Sequence, residues 1–243
     1  GGRPNGSTRT MTKGGDGLVY NLFSNAARTQ IWGSDLVGWA GVSPPQIDIV
    51  LSGGGSGSAN VPVYGRVSGG QATAAVGQYA SSFGAGGARV RYAYAGSDDC
   101  TTLAGSESTP SFSARALVQA RCTVNATNLN FGTAGVLSSA RDASSTISVL
   151  CTRDAAYTVG LDGGLSGAAD PTQRRMESGS EFILYGLYRD AQRSLPWGSG
   201  EGATAAGVGN GLTQAFTVYG RVPVQPTPSP GTYSDTIVVT VTY

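Results

Sequence analysis

The stretch FTVYGRVPVQ at Phe216–Gln225 is a second version of VPVYGRVSGGQ at Val61–Gln71. Both contain V-Y-G-R-V, in which apolar and polar side chains alternate. This period of two is typical of a β-strand with one buried face. The repetition of such a strand predicts that the chain contains two copies of one structural unit.

The flanking sequences extend this repeat. RTMTKGGDGLVYNLFSNAARTQIWGSD at Arg9–Asp35 aligns without a gap on RRMESGSEFILYGLYRDAQRSLPWGSG at Arg174–Gly200, at an offset of 165 (174 minus 9). V-Y-G-R-V follows at an offset of 155 (218 minus 63), and a G-x-Y motif at 154 (231 minus 77). The first copy therefore carries 10 additional residues (165 minus 155) between its Trp-Gly and its V-Y-G-R-V.

The second copy consists of short strand-like runs separated by turn residues. FSARALVQARC places Phe112 and Ala114 on one face, and TIVVTVTY places Ile237, Val239 and Val241 on one face. Several such runs at near-regular spacing predict an all-β fold of the sandwich type. The polar stretch 96–109 reads as a connection, which divides the chain into a first domain with its linker, 1–105, and a second domain, 106–243.

The composition excludes several classes of function. Charged residues make up 13% of the chain and the net charge is +1, which disfavours nucleic acid or an anionic membrane as a partner. No apolar run approaches the ~20 residues that a membrane span requires, so we expect no membrane insertion. There is no histidine and the carboxylates are scattered, so we expect no enzyme, no metal and no cofactor.

The chain has three cysteines. A bond between Cys122 and Cys151 would close a loop of about 30 residues and add ~3.6 kcal/mol of stability in the chain-entropy model. Cys100 is left over. Paired cysteines in a Gly- and Thr-rich β-type chain favour an oxidising, extracytoplasmic compartment.

The repeat also predicts two incomplete domains. Gly1 aligns with Ser166, whereas the second unit begins near Phe112, so about 54 residues (166 minus 112) of the first unit are expected to be missing from the chain. The first domain is thus predicted to be N-terminally truncated. The second ends on an apolar strand at Tyr243, which predicts an unpaired sheet edge.

The additional segment of the first copy is unusually apolar. It reads LVGWAGVSPPQIDIVLSGGGSGSAN and carries Trp39, Val42, Ile47, Ile49 and Leu51. As a loop it would form a hydrophobic contact site for surfaces. The alternative is an added strand, QIDIVLS, with the tryptophan packed on the core.

Other residues that recur in both copies are predicted to be structural. Arg66 and Arg221 occupy matching positions of V-Y-G-R-V, where a bond to a neighbouring strand or carboxylate is favoured over a ligand role. Trp32 and Trp197 also match each other and are expected to pack in the core or in a hairpin.

Several of these motifs together resemble the spore coat protein U family, which includes the subunits of archaic, Csu-type chaperone–usher pili. The resemblance rests on CTVNATNLNFG, VLCTRDAAYTVGLDGG, LYGLYRDAQRSLPWG, FTVYGRVPVQ and GTYSDTIVVTVTY. It covers residues 112–243 completely and residues 1–94 as a partial copy.

The resemblance implies a secreted fibre subunit with two immunoglobulin-like β-sandwich domains, the second lacking its last strand. A periplasmic chaperone, and later an adjacent pilin subunit, would donate that strand during assembly at an usher. The edge that receives the strand is predicted to comprise Phe112, Ala114, Ile237, Val239 and Val241.

The two-unit organisation is most similar to that of a tip adhesin, with a tip domain followed by a pilin domain. The expected role is attachment to abiotic or host surfaces and biofilm formation, at the pilus tip on the bacterial cell surface. Cys100 would then pair with a cysteine outside this chain. Two alternatives remain open: a structural pilus or coat subunit without its own ligand, and a carbohydrate-binding tip lectin.

Overall fold

The computed structural model describes residues 8–34, 42–84, 87–92 and 107–243. The chain divides into two compact units, the first running to Val118 and the second from Gln119 to Tyr243. In the described ranges every regular element is a β-strand, and they contain no helix that could cross a membrane.

Unit 1 contains seven strands among its described residues. They are β1 (Arg9–Lys13), β2 (Asp16–Phe23), β3 (Tyr64–Val67), β4 (Gly77–Phe83), β5 (Val90–Arg91), β6 (Glu107–Ser108) and β7 (Phe112–Val118). Five of these strands form one antiparallel sheet in the order β3-β2-β1-β4-β7, and β5 pairs with β6. The buried side chains on one face of the larger sheet form the core of the unit: Met11, Leu18, Tyr20, Leu22, Tyr79 and Phe83.

Unit 2 contains eight strands. They are β8 (Cys122–Ala126), β9 (Arg141–Cys151), β10 (Ala156–Leu161), β11 (Arg174–Ser178), β12 (Glu181–Tyr188), β13 (Ala205–Val208), β14 (Thr213–Val222) and β15 (Val239–Thr242). They form a five-stranded sheet, β11-β12-β14-β9-β8, and a three-stranded sheet, β13-β10-β15. The fully buried Trp197 donates its indole N–H to the backbone oxygen of Val159, 2.9 Å away, and so ties its loop to β10.

Strand β7 lies in unit 1, although the sequence places Phe112 at the start of the second domain. Along its whole length β7 pairs with β4, from Phe83 opposite Phe112 to Gly77 opposite Val118. Its inward side chains pack against the core of unit 1. The period-two pattern fixes which face of β7 is apolar, but it does not state which sheet that face will cover.

Candidate strand-binding site

The last strand of unit 2 is paired along one edge only. Ser234 exchanges both backbone hydrogen bonds with Glu177 of β11, at 2.9 and 3.2 Å, and β15 pairs with β10. From Tyr233 to Thr242 burial alternates residue by residue, as along one strand that ends in β15. Hydrogen-bonding direction alternates in the same way, so the odd-numbered residues from Tyr233 to Tyr243 turn their N–H and C=O groups to the opposite side. We call this side the acceptor edge. In unit 2, which the structure describes throughout, no strand pairs with it.

The equivalent edge of unit 1 is occupied. Ala80 of β4 faces Thr12 of β1, in the same way as Ser234 faces Glu177, and the other edge of β4 pairs with β7. The rings of Phe83 and Phe112 stack with their centroids 4.4 Å apart. One copy of the repeat therefore contains a strand at the position where the other copy has an open edge.

The residues predicted to form one strand-accepting edge divide between the two units. Ile237, Val239 and Val241 are odd-numbered, lie on the acceptor edge and are half-buried. Phe112 and Ala114 lie on β7 in unit 1. Both belong to the strand that fills the equivalent edge: Ala114 packs against the core of unit 1, and the ring of Phe112 stacks on that of Phe83.

A polar network lies beside the acceptor edge and anchors its strand. The Tyr185 hydroxyl donates to Oδ2 of Asp235 at 2.6 Å, and Oδ1 of the same carboxylate accepts from the backbone N–H of Leu165 at 2.8 Å. Asp162 accepts from the backbone N–H of Val238 at 3.0 Å. Burial and the neighbouring Asp235 raise the pKa of Tyr185, so its hydroxyl remains a neutral donor.

A buried arginine binds the backbone of the segments that carry this network. Arg174 is fully buried and donates to the backbone oxygens of Asp162 (2.8 Å), Pro171 (2.6 Å), Trp197 (2.8 Å) and Leu161 (3.3 Å). Burial lowers its pKa. Such a guanidinium donates hydrogen bonds to carbonyl groups that have no strand partner at the ends of the sheets.

The same device recurs in unit 1. Arg9, which aligns with Arg174, is also buried and donates to the backbone oxygen of Trp32 at 2.7 Å. Neither arginine stands out in the sequence as a functional residue. The available signal was their recurrence at the offset of 165, each 23 residues before a matching tryptophan.

A second repeated device uses glutamine as a substitute for a strand. Gln225 accepts from the backbone N–H of Leu184 and donates to its oxygen, both at 2.9 Å. Gln71 makes the same pair of bonds to Val19, at 2.6 and 3.0 Å. Each side-chain amide thus makes the two backbone hydrogen bonds that a residue of a neighbouring strand would make with β12 or β2. Both glutamines stand at the ends of the two V-Y-G-R-V stretches, yet strand periodicity gives no sign of their role.

The repeated G-x-Y motif forms a tyrosine corner in each unit. Tyr79 donates its hydroxyl to the backbone oxygen of Ala75 at 3.0 Å, and Tyr233 donates to that of Ser229 at 2.8 Å. A bond of this kind fixes the turn that leads into the strand. It sets the position at which the acceptor edge begins.

The arginine of V-Y-G-R-V binds a carboxylate in unit 2. Arg221 donates to both oxygens of Asp142, at 2.7 and 2.8 Å, and Arg193 approaches the same carboxylate at 3.2 Å. The Arg221 hydrogen bond, with the charges of both arginines, lowers the pKa of Asp142. This bidentate contact joins β14 to β9.

The predicted contact loop is exposed from Ile47 to Leu51. Ile47, Ile49 and Leu51 are 47%, 46% and 45% exposed, and no strand forms in residues 42–60. Val42 is half-buried. Trp39 lies outside the described residues. An exposed apolar loop of this kind is typical of a binding surface.

The cysteines follow the expected pattern as far as they are described. Cys122 and Cys151 form a disulfide that joins β8 to β9. Cys100 lies outside the described residues. Within the described ranges no cluster of three or more His, Cys, Asp or Glu side chains could hold a metal ion.

Comparison with known proteins gives three findings. The family model for the Spore Coat Protein U domain matches residues 1–85 and 108–240. Protein U of Myxococcus xanthus is 36% identical over 103 residues, which cover 40% of this chain and 58% of that protein. The chain thus spans little more than half the length of this relative.

A solved structure shares the fold. It is the CsuC–CsuE chaperone–tip adhesion subunit pre-assembly complex from the archaic chaperone–usher Csu pili of Acinetobacter baumannii, matched with a TM-score of 0.58 at 19% identity. The match covers 99% of this chain and 82% of that chain. The prediction of an all-β fold with two immunoglobulin-like sandwich-type domains is confirmed.

Proposed function

We propose that this chain, which belongs to the Spore Coat Protein U domain family, is the tip adhesin subunit of an archaic chaperone–usher pilus. In this proposal unit 2 joins the fibre by accepting a strand, and unit 1 carries the surface that attaches the cell to abiotic or host material and promotes biofilm formation. A periplasmic chaperone would hold unit 2 before an adjacent pilin replaces it at the usher. The chain would reach the cell surface by way of the periplasm.

The acceptor edge is the observation that carries the proposal. An unpaired edge on an apolar strand is a template for an added strand, and most proteins cover such an edge. Unit 1 shows what a filled edge looks like, because β7 pairs with the same edge there. The half-buried Ile237, Val239 and Val241 would be covered by the donated strand in the way that Tyr79 and Phe83 are covered by β7.

The position of β7 in the chain supports a terminal place in the fibre. In strand-exchanging fibres a subunit receives a strand and donates the segment that precedes its own sandwich. The segment that precedes unit 2 is β7, and it is already paired with β4. Unit 2 would therefore act as an acceptor only, which suits a subunit at the end of a fibre.

The exposed apolar loop supports the adhesive role. Ile47, Ile49 and Leu51 are each nearly half exposed, and Val50 is 91% exposed. Contact with an apolar material would remove these side chains from water, at about 25 cal/mol for each Å² buried. The loop lies in unit 1, away from the acceptor edge in the chain, so the two activities can be separated by mutation.

Val241→Pro tests the acceptor edge. The N–H of this residue points to the open side, so proline should leave the pairing of β15 with β10 intact while preventing a strand from being added. We expect the variant to fold, to be absent from fibres and to abolish attachment, as measured by immunogold labelling of fibres and by attachment to plastic.

Val208→Pro is the matched control, because it makes the same change on the outer edge of β13, at the other side of the same sheet. It should assemble normally. If Val241→Pro also assembles normally, unit 2 does not accept a strand at this edge.

The triple change Ile47→Ser, Ile49→Ser, Leu51→Ser tests adhesion separately. Fibres should form in normal number while attachment to plastic falls by about tenfold or more, because most of the apolar contact area is lost. Unchanged attachment would exclude the contact loop. Fibres that shorten or vanish would favour a structural subunit, and binding on a glycan array that survives the triple change would favour a lectin.

A further inference from the structure

The acceptor edge of unit 2 differs in charge from the equivalent edge of unit 1 at one inward-facing position. Asp235 stands where unit 1 has Ser81, at the offset of 154 (235 minus 81) that also relates Tyr233 to Tyr79. Ser81 is 1% exposed and pairs with a residue of β7, whereas Asp235 is half-buried at the open edge. The two copies therefore place a neutral hydroxyl and a carboxylate at the same site.

The contacts of Asp235 leave one of its oxygens with a free acceptor position. Oδ1 accepts from the backbone N–H groups of Leu165 and Thr236, at 2.8 and 2.7 Å. Oδ2 accepts from the Tyr185 hydroxyl at 2.6 Å, which is the one hydrogen bond that unit 2 gives this oxygen. A carboxylate oxygen can accept two hydrogen bonds, so Oδ2 retains room for one more donor.

The filled edge of unit 1 supplies the register in which a strand would cover this site. Strand β7 runs antiparallel to β4, with Ala114 opposite Ser81 and Phe112 opposite Phe83. Residues directly opposite each other lie on the same face of the sheet, with Cβ atoms about 4.5–5.5 Å apart. Ala114 packs against the core of unit 1. A strand bound to unit 2 in the same register would place its equivalent of Ala114 beside Asp235.

An alanine at that position would remove water from Oδ2 of Asp235 without offering a hydrogen bond in its place, which is costly for a charged group. A serine or threonine hydroxyl would donate to Oδ2 and is small enough for a position that holds alanine in unit 1. We propose that Asp235 is a specificity-determining residue, which selects a donated strand with Ser or Thr at the position equivalent to Ala114. The inference rests on the proposed acceptance of a strand by unit 2.

The same residue would distinguish the two edges of the repeat. Strand β7 carries Ala114, which suits the neutral Ser81 of unit 1. Against Asp235 the same strand would leave a carboxylate oxygen covered and unpaired. The strand that completes unit 1 is therefore a poor ligand for unit 2, so β7 of a second copy would not compete well with the strand of an adjacent pilin.

Synthetic peptides based on β7 test this selection. The first has the sequence of residues 110–118, PSFSARALV, and the second carries Ala114→Thr. In calorimetric titration into the full chain, the Ala114→Thr peptide should bind at least tenfold more tightly, because its hydroxyl bonds to a charged acceptor. A Ser113→Thr peptide is the matched control. Its added methyl group lies on the opposite face of the strand, so it should bind like the first peptide.

Two variants of the chain connect this preference to the carboxylate. Asp235→Ser copies unit 1 and should reduce the preference for the Ala114→Thr peptide to less than about threefold. Asp235→Asn keeps the shape of the side chain without its charge and should also reduce the preference, which provides a test if Asp235→Ser does not fold. Circular dichroism of both variants checks their folding.

The outcomes separate this inference from the function on which it rests. Equal binding of the first two peptides to the unmodified chain, or a preference that persists in the folded variants, would overturn the role of Asp235 and leave strand acceptance in place. Tighter binding of the first peptide would overturn it as well and would assign the edge to β7 of a second copy. Binding of no peptide to any of these chains would reject strand acceptance at this edge and the inference with it.

Discussion

Units 1 and 2 are two copies of one design that differ at their edges. The buried arginine, the glutamine that substitutes for a strand and the tyrosine corner occur in both copies with nearly the same distances. In unit 1 the edge of β4 is filled by β7, and among the described residues no strand pairs with the outer edge of β3. In unit 2 the edge of β14 is filled by β9, and the acceptor edge is open. The shared interior therefore does not decide which edge is paired; the neighbouring segments do.

Reduction of the disulfide should give the largest difference between the units. The bond between Cys122 and Cys151 joins β8 to β9, which form one edge of the five-stranded sheet of unit 2. Replacing both cysteines by Ser should lower the free energy of unfolding of unit 2 by about 3–4 kcal/mol, because the unfolded chain gains the entropy of an open loop.

This loss can be assigned by hydrogen exchange measured separately for peptides of each unit. Exchange should accelerate in β9 and β14 and remain unchanged in β1 and β2. Equal acceleration in both units would mean that the stability of unit 1 also depends on the disulfide. The two units would then not be independent in stability.

The glycines of V-Y-G-R-V give a difference of intermediate size. Gly220→Ala should destabilise unit 2 by about 1–3 kcal/mol, because the new methyl group would collide with Leu129 and Phe131. Gly65→Ala should change the stability of unit 1 by less than about 0.5 kcal/mol, since its site is open.

Urea unfolding of the two single variants, each compared with the unmodified chain, measures both effects. If Gly65→Ala is as costly as Gly220→Ala, the space beside Gly65 is already filled in solution.

The smallest effect is the pH dependence of the Asp142 site. Its pKa is lowered in the folded state, so its contribution is present above the unfolded pKa near 4 and is lost as the pH falls through the lower folded value. The site is well exposed, and solvent screening limits the contribution to about 1 kcal/mol or less.

Asp142→Asn should therefore be slightly less stable than the unmodified chain at pH 6, and the difference should shrink at pH 3. Urea unfolding at both pH values, with and without 1 M salt, is the measurement. A difference that stays constant between pH 6 and pH 3 would mean that packing or the geometry of the hydrogen bond, rather than charge, makes the contribution.

Much of the fold could be predicted from the sequence because strand periodicity and repetition are local signals. The period of two in FILYGLY and FTVYGRV predicts β12 and β14, and the offsets of 165 and 155 predict which strands correspond. A bond between Cys122 and Cys151, and an unpaired edge on the apolar strand that ends at Tyr243, were also expected.

Two features could not be predicted in the same way: the sheet that β7 joins, and the backbone contacts of the buried arginines and the glutamines. Phe112 and Ala114 belong to an apolar face that suits either unit, and only the pairing with β4 decides between them. The side chains of Arg174 and Gln225 bind backbone groups on elements that are distant along the chain. Sequence recurrence marks such residues but does not reveal their partners.

The sequence by itself determined the all-β architecture, the two-copy organisation and the apolar face of each strand, because these depend on the periodicity of neighbouring side chains. Only the tertiary structure decided which edge of each sheet is filled. Strand pairing is long-range and uses backbone groups that all residues share, so the same apolar strand can complete more than one sheet.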